Sequence, residues 1–229
     1  MASPPLYDSP AFRDIAGDTW RPGGLSLTQQ GLNVCAFRPG ARLLDVGCGA
    51  GATLTLLLEE GYAALGLDRK THCPRGLPFV QSDATSLPFL AGSFDGIICE
   101  CVLSLLPKKD MVLANFARLL KPGGKLLLAD LYWQEGQSYP SNDSTALPAS
   151  CFEGAPGRGA LEMMLTRAGF HRIIFTDHTA ALRALAARLI WYGKELSSLF
   201  HNHCQLSPNA NGCSRRPGYG LWISILPDV

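Results

Sequence analysis

Residues 42–61 read RLLDVGCGAGATLTLLLEEG and contain three distinct signals. RLLDV has the continuous apolar character of a short strand buried on both faces, GCGAG is a turn, and ATLTLLLEEG keeps helical spacing up to a stop at Gly61. Glycines at 47, 49 and 51 therefore fall between a strand and a helix. There glycine reaches positive φ without penalty and lets a ligand approach the backbone, while the first N–H groups of the helix have no partner within it. This is the pattern of a nucleotide-type cofactor loop; a purely structural strand-to-helix turn is the plainer alternative.

The alternation continues on both sides of this unit. Downstream, YAALGLD, LPFVQSD, FDGIIC and KLLLADLY read as strands, and KDMVLANFARLLKPGG as a helix closed by its Pro-Gly-Gly. GALEMMLTRAGF then reads as a helix, HRIIFTD as a strand, TAALRALAARLIWYGKELSSLF as a long helix and YGLWISIL as a last strand, antiparallel to its neighbour. Upstream, LSLTQQGLNVCAF is a helix stopped by Pro39-Gly40. Such βαβ alternation predicts an α/β, Rossmann-like, doubly wound parallel sheet with helices on both faces and right-handed crossovers. We expect a single domain over 1–229. Residues 1–23, with four prolines, form an irregular arm, and the polar 134–158 segment forms a long substrate-side loop; both are expected to act as lids.

Composition narrows the class of function. The 229-residue chain is 47% hydrophobic and 17% charged, with a formal net charge of +1, so it carries no electrostatic footprint for nucleic acid. No apolar run is long enough to span a bilayer, and MASPPLYDSPAFRDIAG lacks a basic region followed by an apolar one. The expectation is a soluble cytoplasmic protein with no membrane partner, whose eight cysteines, scattered through apolar segments, are reduced thiols rather than a disulfide framework.

Two further carboxylates follow the glycine turn. Asp68 ends the second strand, 21 residues after Gly47, where an acidic side chain accepts bonds from ribose hydroxyls. Asp83 follows the third strand in FVQSDATSLPF, facing the place of an adenine edge. With Asp45 these make three carboxylates at the carboxyl ends of successive strands.

At this point the sequence resembles the class I S-adenosylmethionine-dependent methyltransferases. The matching segments are LLDVGCGAG, GLDRK, QSDATSLPF, SFDGIICECVLSLL and LLKPGGKLLLADLY, in the family's order over roughly residues 41–132. The resemblance implies a seven-stranded, mostly parallel sheet with a reversed final strand, and S-adenosyl-L-methionine as cofactor. It also implies Gly47 and Gly49 against the methionine end, Asp45 orienting the loop and the cofactor's amino group, Asp68 with Arg69 at the ribose, Asp83 with Ala84 at the adenine, and Glu100 facing the cofactor. Gly47, Gly49 and Ala52 also satisfy G-x-G-x-x-A, so an NAD-dependent oxidoreductase is a minor alternative. A cofactor-binding accessory or sensor protein without methyl transfer is the alternative from another class.

The cysteines are read against the bland case of a small buried hydrophobe. Cys35 and Cys48 take that reading, with Cys48 adding apolar bulk beside the cofactor, and Cys73 falls in the polar loop RKTHCPRG. Cys99 and Cys101 are two apart, so if the strand persists both point to one face and Glu100 to the other. A narrower resemblance, to arsenite methyltransferases, rests on Cys101 in ECVLSLLP and Cys151 in SCFEGAPGRGALEMMLTRAGF. It implies a small thiophilic acceptor such as arsenite held by both sulfurs, a chemistry that needs no general base. This chain departs from that family in having Glu100 where the family has asparagine, in the inserted Pro156-Gly157-Arg158, and in lacking a counterpart of an additional early cysteine. For a nitrogen, oxygen or carbon acceptor Glu100 would be the base. His201, His203, Cys204 and Cys213 match no standard zinc spacing, so no metal site is expected. Tyr132 and Trp133 either wall the acceptor pocket or pack beneath the long loop.

Overall fold

The computed structural model describes residues 15, 17, 19, 21–70, 73–134, 148, 150–193 and 216–228. Strands β1 (Arg42–Val46), β2 (Ala63–Asp68), β3 (Phe79–Gln81), β4 (Phe94–Glu100), β5 (Leu120–Trp133), β6 (His171–Asp177) and β7 (Pro217–Ile225) build one seven-stranded sheet in the order β3-β2-β1-β4-β5-β7-β6. β1 pairs in parallel with both β2 and β4, and β7 runs antiparallel between β5 and β6. The reversed final strand is thus present. Because the chain leaves β1 toward one edge and later returns to its other side, the sheet has its switch point between β1 and β4, where a crevice opens at the strands' carboxyl ends.

Side-chain alternation splits the interior into two cores. Helices α1 (Gly24–Cys35) and α2 (Ala52–Glu59) cover one face with Leu27, Leu32, Leu54 and Leu57 against Leu43, Ile98, Leu127 and Ala129. Helices α3 (Lys109–Leu119) and α5 (Arg158–Arg167) cover the other with Val112, Phe116, Leu161 and Leu165 against Leu44, Ile97, Leu126 and Leu128. A single turn, α4 (Cys151–Gly154), sits on the α1 and α2 side through Phe152, and α6 (Thr179–Trp191) packs on β7. Successive residues of β5 feed opposite cores, as a strand buried on both faces must.

One boundary differs from expectation. The helix before β5 ends at Leu119, and LKPGG belongs to the strand rather than to the helix. Pro122 disfavours helical backbone at Lys121, and Leu120 instead pairs with Phe94 ahead of a register shift, in which the KPGG residues of β5 bulge before Lys125 pairs with Gly96.

Candidate active site

The glycine turn is closed by backbone bonds. Gly47 and Cys48 donate to the Leu67 carbonyl at 2.7 and 3.1 Å, and Gly51 donates to the Cys48 carbonyl at 2.8 Å. Gly47 has φ of 75°, and a Cβ there would lie 2.2 Å from Val102 Cγ2, so the turn is packed against the segment leaving β4. Gly51, at φ 81°, is the N-cap of α2. Asp68 joins the turn to the end of β2, accepting from Gly49 N at 3.0 Å and from Lys70 N at 2.9 Å. Asp83 accepts from the Thr85 amide at 2.8 Å and its hydroxyl at 2.7 Å; burial acts to raise this carboxyl, but those donors hold it below the usual carboxylate range. Ala84 is buried beside it, and the Arg69 carbonyl accepts from Gln81 Nε2 at 2.9 Å.

Asp45 and Glu100 are buried within electrostatic reach of each other at the ends of β1 and β4. Glu100 is fully engaged. Its carboxylate accepts from Arg21 Nη2 at 2.6 Å, from Thr28 Oγ1 at 2.9 Å and from Thr53 Oγ1 at 3.0 Å. Arg21 also donates to Thr28 and Thr53, so α1, α2, β4 and the segment before α1 meet in one buried network. Burial acts against the Arg21 charge, but Glu100, with smaller contributions from Tyr219, Cys101 and Asp45, together outweighs it and the guanidinium stays above its ordinary value. Asp45 is the opposite case. The Leu54 amide supplies one hydrogen bond, yet Oδ2 has no partner, and burial, reinforced by Glu100, pushes the carboxyl up to about 8.

The thiols separate at the end of β4. Cys99 is fully buried in the α3 and α5 core, whereas Cys101 packs on the α1 and α2 side. The expectation of a shared face fails because β4 ends at Glu100 and Cys101 takes a left-handed φ of 56°, which breaks the two-residue alternation. Cys101 Sγ shares a hydrogen bond of 3.2 Å with the hydroxyl of Tyr219, fully buried in β7. Cys151 opens α4, N-capped by Ser150 through the Glu153 amide at 3.2 Å, and its thiol is near enough to act on that of Cys101. Burial raises both thiols, Cys151 to about 12, and buried Asp130 adds to each. Asp130 in turn accepts from the Ser104 amide at 2.9 Å and its neighbour Leu131's amide at 2.7 Å; burial raises it and Lys109 opposes that rise.

Thr28, Thr53, Asp130 and Tyr219 were not singled out in the sequence, and Arg21, whose RPGG setting reads as a solvated loop arginine or a contact for an anionic substrate, is instead buried against Glu100. Two helical threonines and a strand tyrosine carry no local signature. Asp130 was readable, because an acidic residue near the carboxyl end of a buried strand is costly without a purpose. Of the two aromatic residues after β5's apolar run, Tyr132 lies edge-on to Phe175 and Trp222, and Trp133 Nε1 donates to the Phe152 carbonyl at 3.2 Å, so both are core packing. His201, His203, Cys204 and Cys213 lie outside the described residues, as do most of the 1–23 arm and much of the 134–158 loop. Among the described residues there is no metal-type cluster of three or more His, Cys, Asp or Glu, and no helix is long and apolar enough to cross a membrane.

Comparison with known proteins agrees with this geometry. The methyltransferase domain family matches residues 44–128. The chain is 30% identical to the ubiquinone/menaquinone biosynthesis C-methyltransferase of Bordetella parapertussis, over 66% of this chain and 71% of that protein. It is 32% identical to an arsenite methyltransferase of Aquipseudomonas alcaligenes, over 61% of this chain and 47% of that one. The fold matches that of Haemonchus contortus phosphoethanolamine N-methyltransferase 2 in complex with S-adenosyl-L-methionine, with a TM-score of 0.72 and 18% identity over 95% of this chain and 56% of that chain. The chain thus belongs to the class I S-adenosylmethionine-dependent methyltransferases. It spans about half or less of the length of the curated relatives it matches first. The residues present fit the family's cofactor: a buried carboxylate oxygen of Asp45 lacks a donor that an ammonium group would supply, and the glycine turn leads into the first turn of α2.

Proposed function

We propose that this chain transfers the methyl group of S-adenosylmethionine to a small thiophilic acceptor, such as trivalent arsenic, held by Cys101 and Cys151. The observation that supports the reading is that Cys101, just past the end of β4, and Cys151, at the start of α4, both pack against the α1 and α2 core, with Val102, next to Cys101, packed against Gly47 of the turn. When bound, S-adenosylmethionine supplies an electrophilic methyl on a sulfonium that leaves as a neutral thioether. Asp45, Gly47 and Gly49 would hold its methionine end, Asp68 with Arg69 its ribose, and Asp83 with Ala84 its adenine.

The protein's own part is binding, orientation and exclusion of water. Both thiols are held protonated by burial, which suits condensation with a hydroxide-bearing acceptor. Each sulfur would bond to arsenic, each thiol proton leaving with a displaced hydroxide as water, so that arsenic is held with its lone pair free for a methyl group. Tyr219 orients Cys101 through their shared hydrogen bond. Glu100 serves this reading as a positioning residue, since Arg21, Thr28 and Thr53 already occupy its carboxylate.

The test is turnover of methyl-labelled cofactor with arsenite, comparing wild type with Cys101→Ala and Cys151→Ala. The expected result is methylated arsenic from wild type and a loss of at least about a hundredfold in each variant, the size expected when one of two bonding ligands is removed. Methylation surviving both substitutions removes the thiol site. Cofactor binding without turnover on any acceptor supports the accessory or sensor reading instead.

A further inference from the structure

Two buried polar atoms next to the glycine turn lack a partner within the protein, and they are of opposite kind. Arg21, 5% exposed, leaves its Nε–H without an acceptor, and Asp45, 3% exposed, leaves Oδ2 without a donor. Orphaned groups of this sort are costly, the more so when charged. Both belong to one place in the fold. In the β1–β4 register Asp45 stands opposite Ile98, so Glu100, two residues further along β4, is its diagonal neighbour on the same face of the sheet. Glu100 accepts from Arg21 Nη2 at 2.6 Å, and Thr53, in the first turn of α2, accepts from the same nitrogen at 3.1 Å. The guanidinium is thus pinned through Nη2 to the end of β4, one strand away from Asp45 and the turn that follows it.

The two orphans suit one kind of group. An α-amino acid carries an ammonium donor and a carboxylate acceptor on the same carbon, and Asp45 Oδ2 and Arg21 Nε–H are an acceptor and a donor for them. We propose that Arg21 is a cofactor-binding residue, its Nε–H donating to the methionine carboxylate of S-adenosylmethionine while Asp45 accepts from the ammonium group. This rests on Asp45 and the glycine turn holding the cofactor's methionine end. One guanidinium then has two duties: Nη2 fastens Glu100, and Nε reads the ligand.

Charge agrees with this assignment. With Asp45 ionised, Arg21, Asp45 and Glu100 sum to a single negative charge, and S-adenosylmethionine, with its ammonium, sulfonium and carboxylate, carries a single positive one. A bound ammonium would hold Asp45 ionised despite its burial. The consequence is selectivity for the intact amino acid, because a cofactor form without the carboxylate leaves a buried donor unpaired. Arg21 lies in the segment before α1 rather than in the sheet, so the two ends of the amino acid are read by separate parts of the chain.

The experiment is calorimetry on the full chain with two ligands, S-adenosylhomocysteine and S-adenosyl-3-thiopropylamine, the latter being the same molecule without its carboxylate. Wild type is expected to bind S-adenosylhomocysteine at least about tenfold more tightly, the size of one charge-assisted hydrogen bond. Arg21→Lys keeps a cation for Glu100 and removes the fixed Nε–H. It is expected to bind S-adenosylhomocysteine about tenfold more weakly and the thiopropylamine within about twofold of wild type, so that the preference disappears. Asp45→Asn is expected to weaken both ligands, since both keep the ammonium. Equal affinity of wild type for the two ligands overturns the proposal without recourse to any variant, and an equal loss for both in Arg21→Lys overturns it as the mark of a structural arginine. Unchanged binding of both ligands to Asp45→Asn would instead count against the methionine-end assignment of Asp45, and the carboxylate preference judges Arg21 independently of it.

Discussion

Asp45 and Glu100 end adjacent strands and are both buried, yet one is starved of partners and the other saturated. Around Glu100, Arg21, Thr28 and Thr53 supply every donor the carboxylate needs, and nothing further is required to hold it. Around Asp45, the Leu54 amide supplies one donor and the second oxygen has none. A buried carboxyl that the chain satisfies by itself needs no ligand to hold it. One that the chain leaves short is prepared for a ligand, because the deficit costs stability until something fills it.

The largest effect is expected from breaking the saturated side. Glu100→Ala strips the partner from a buried guanidinium and should destabilise the protein by about 3–5 kcal/mol, read as a lowered urea midpoint. Arg21→Ala should cost a similar amount by stranding the carboxylate. The double variant should cost clearly less than the sum of the two, because neither charge is then left unpaired. Additive losses would mean that the pair is not a coupled structural unit.

The starved side should respond in the opposite sense. Native Asp45 holds its proton up to about pH 8 while the unfolded chain releases it near 3.8, so the native state binds the extra proton between these values. Stability of the unliganded protein therefore falls as pH rises through that window, the reverse of an ion-paired carboxylate. Asp45→Asn lacks this penalty. Its melting temperature should exceed wild type by a margin that widens from about pH 5 to about pH 8, while S-adenosylhomocysteine binding weakens about tenfold or more through loss of a charged hydrogen bond. A variant that gains no stability, or that binds the cofactor normally, would place Asp45 with Glu100 among structural carboxylates.

This contrast also explains what could be read from the sequence. The cofactor side is local: a strand, three glycines, a helix and an acid at the next strand's end are consecutive along the chain, so periodicity and turn chemistry expose Asp45, Gly47, Gly49 and Asp68 together. The parallel part of the fold followed from the same rhythm, and the resemblance to the methyltransferase family implied the reversed β7. The Glu100 network is not local. Arg21, Thr28 and Thr53 come from three segments, and only the packing of α1 and α2 on one sheet face brings them to β4. Counting along β4 failed for a related reason, since strand alternation holds only while the backbone stays extended, and Cys101 is the first residue at which it does not.

The smallest effect tests why a cysteine occupies that position. Cys101 has φ of 56°, a region costing a side-chain-bearing residue about 1–2 kcal/mol and glycine almost nothing. Glycine is thus the residue that the backbone alone would select, and the thiol is retained against that preference. Cys101→Gly should be more stable than Cys101→Ala by about 1 kcal/mol in urea unfolding, since both lose the Tyr219 hydrogen bond and differ chiefly in strain. Both should be inactive toward a thiophilic acceptor. If Cys101→Gly is instead no more stable than Cys101→Ala, the left-handed turn is not strained and nothing opposes a cysteine there. If it is more stable and still methylates arsenite, the strain is real but serves the packing against Tyr219 rather than a bound acceptor. Stability gained together with activity lost is the combination that makes the end of β4, like the end of β1, a place where the chain gives up stability for a ligand.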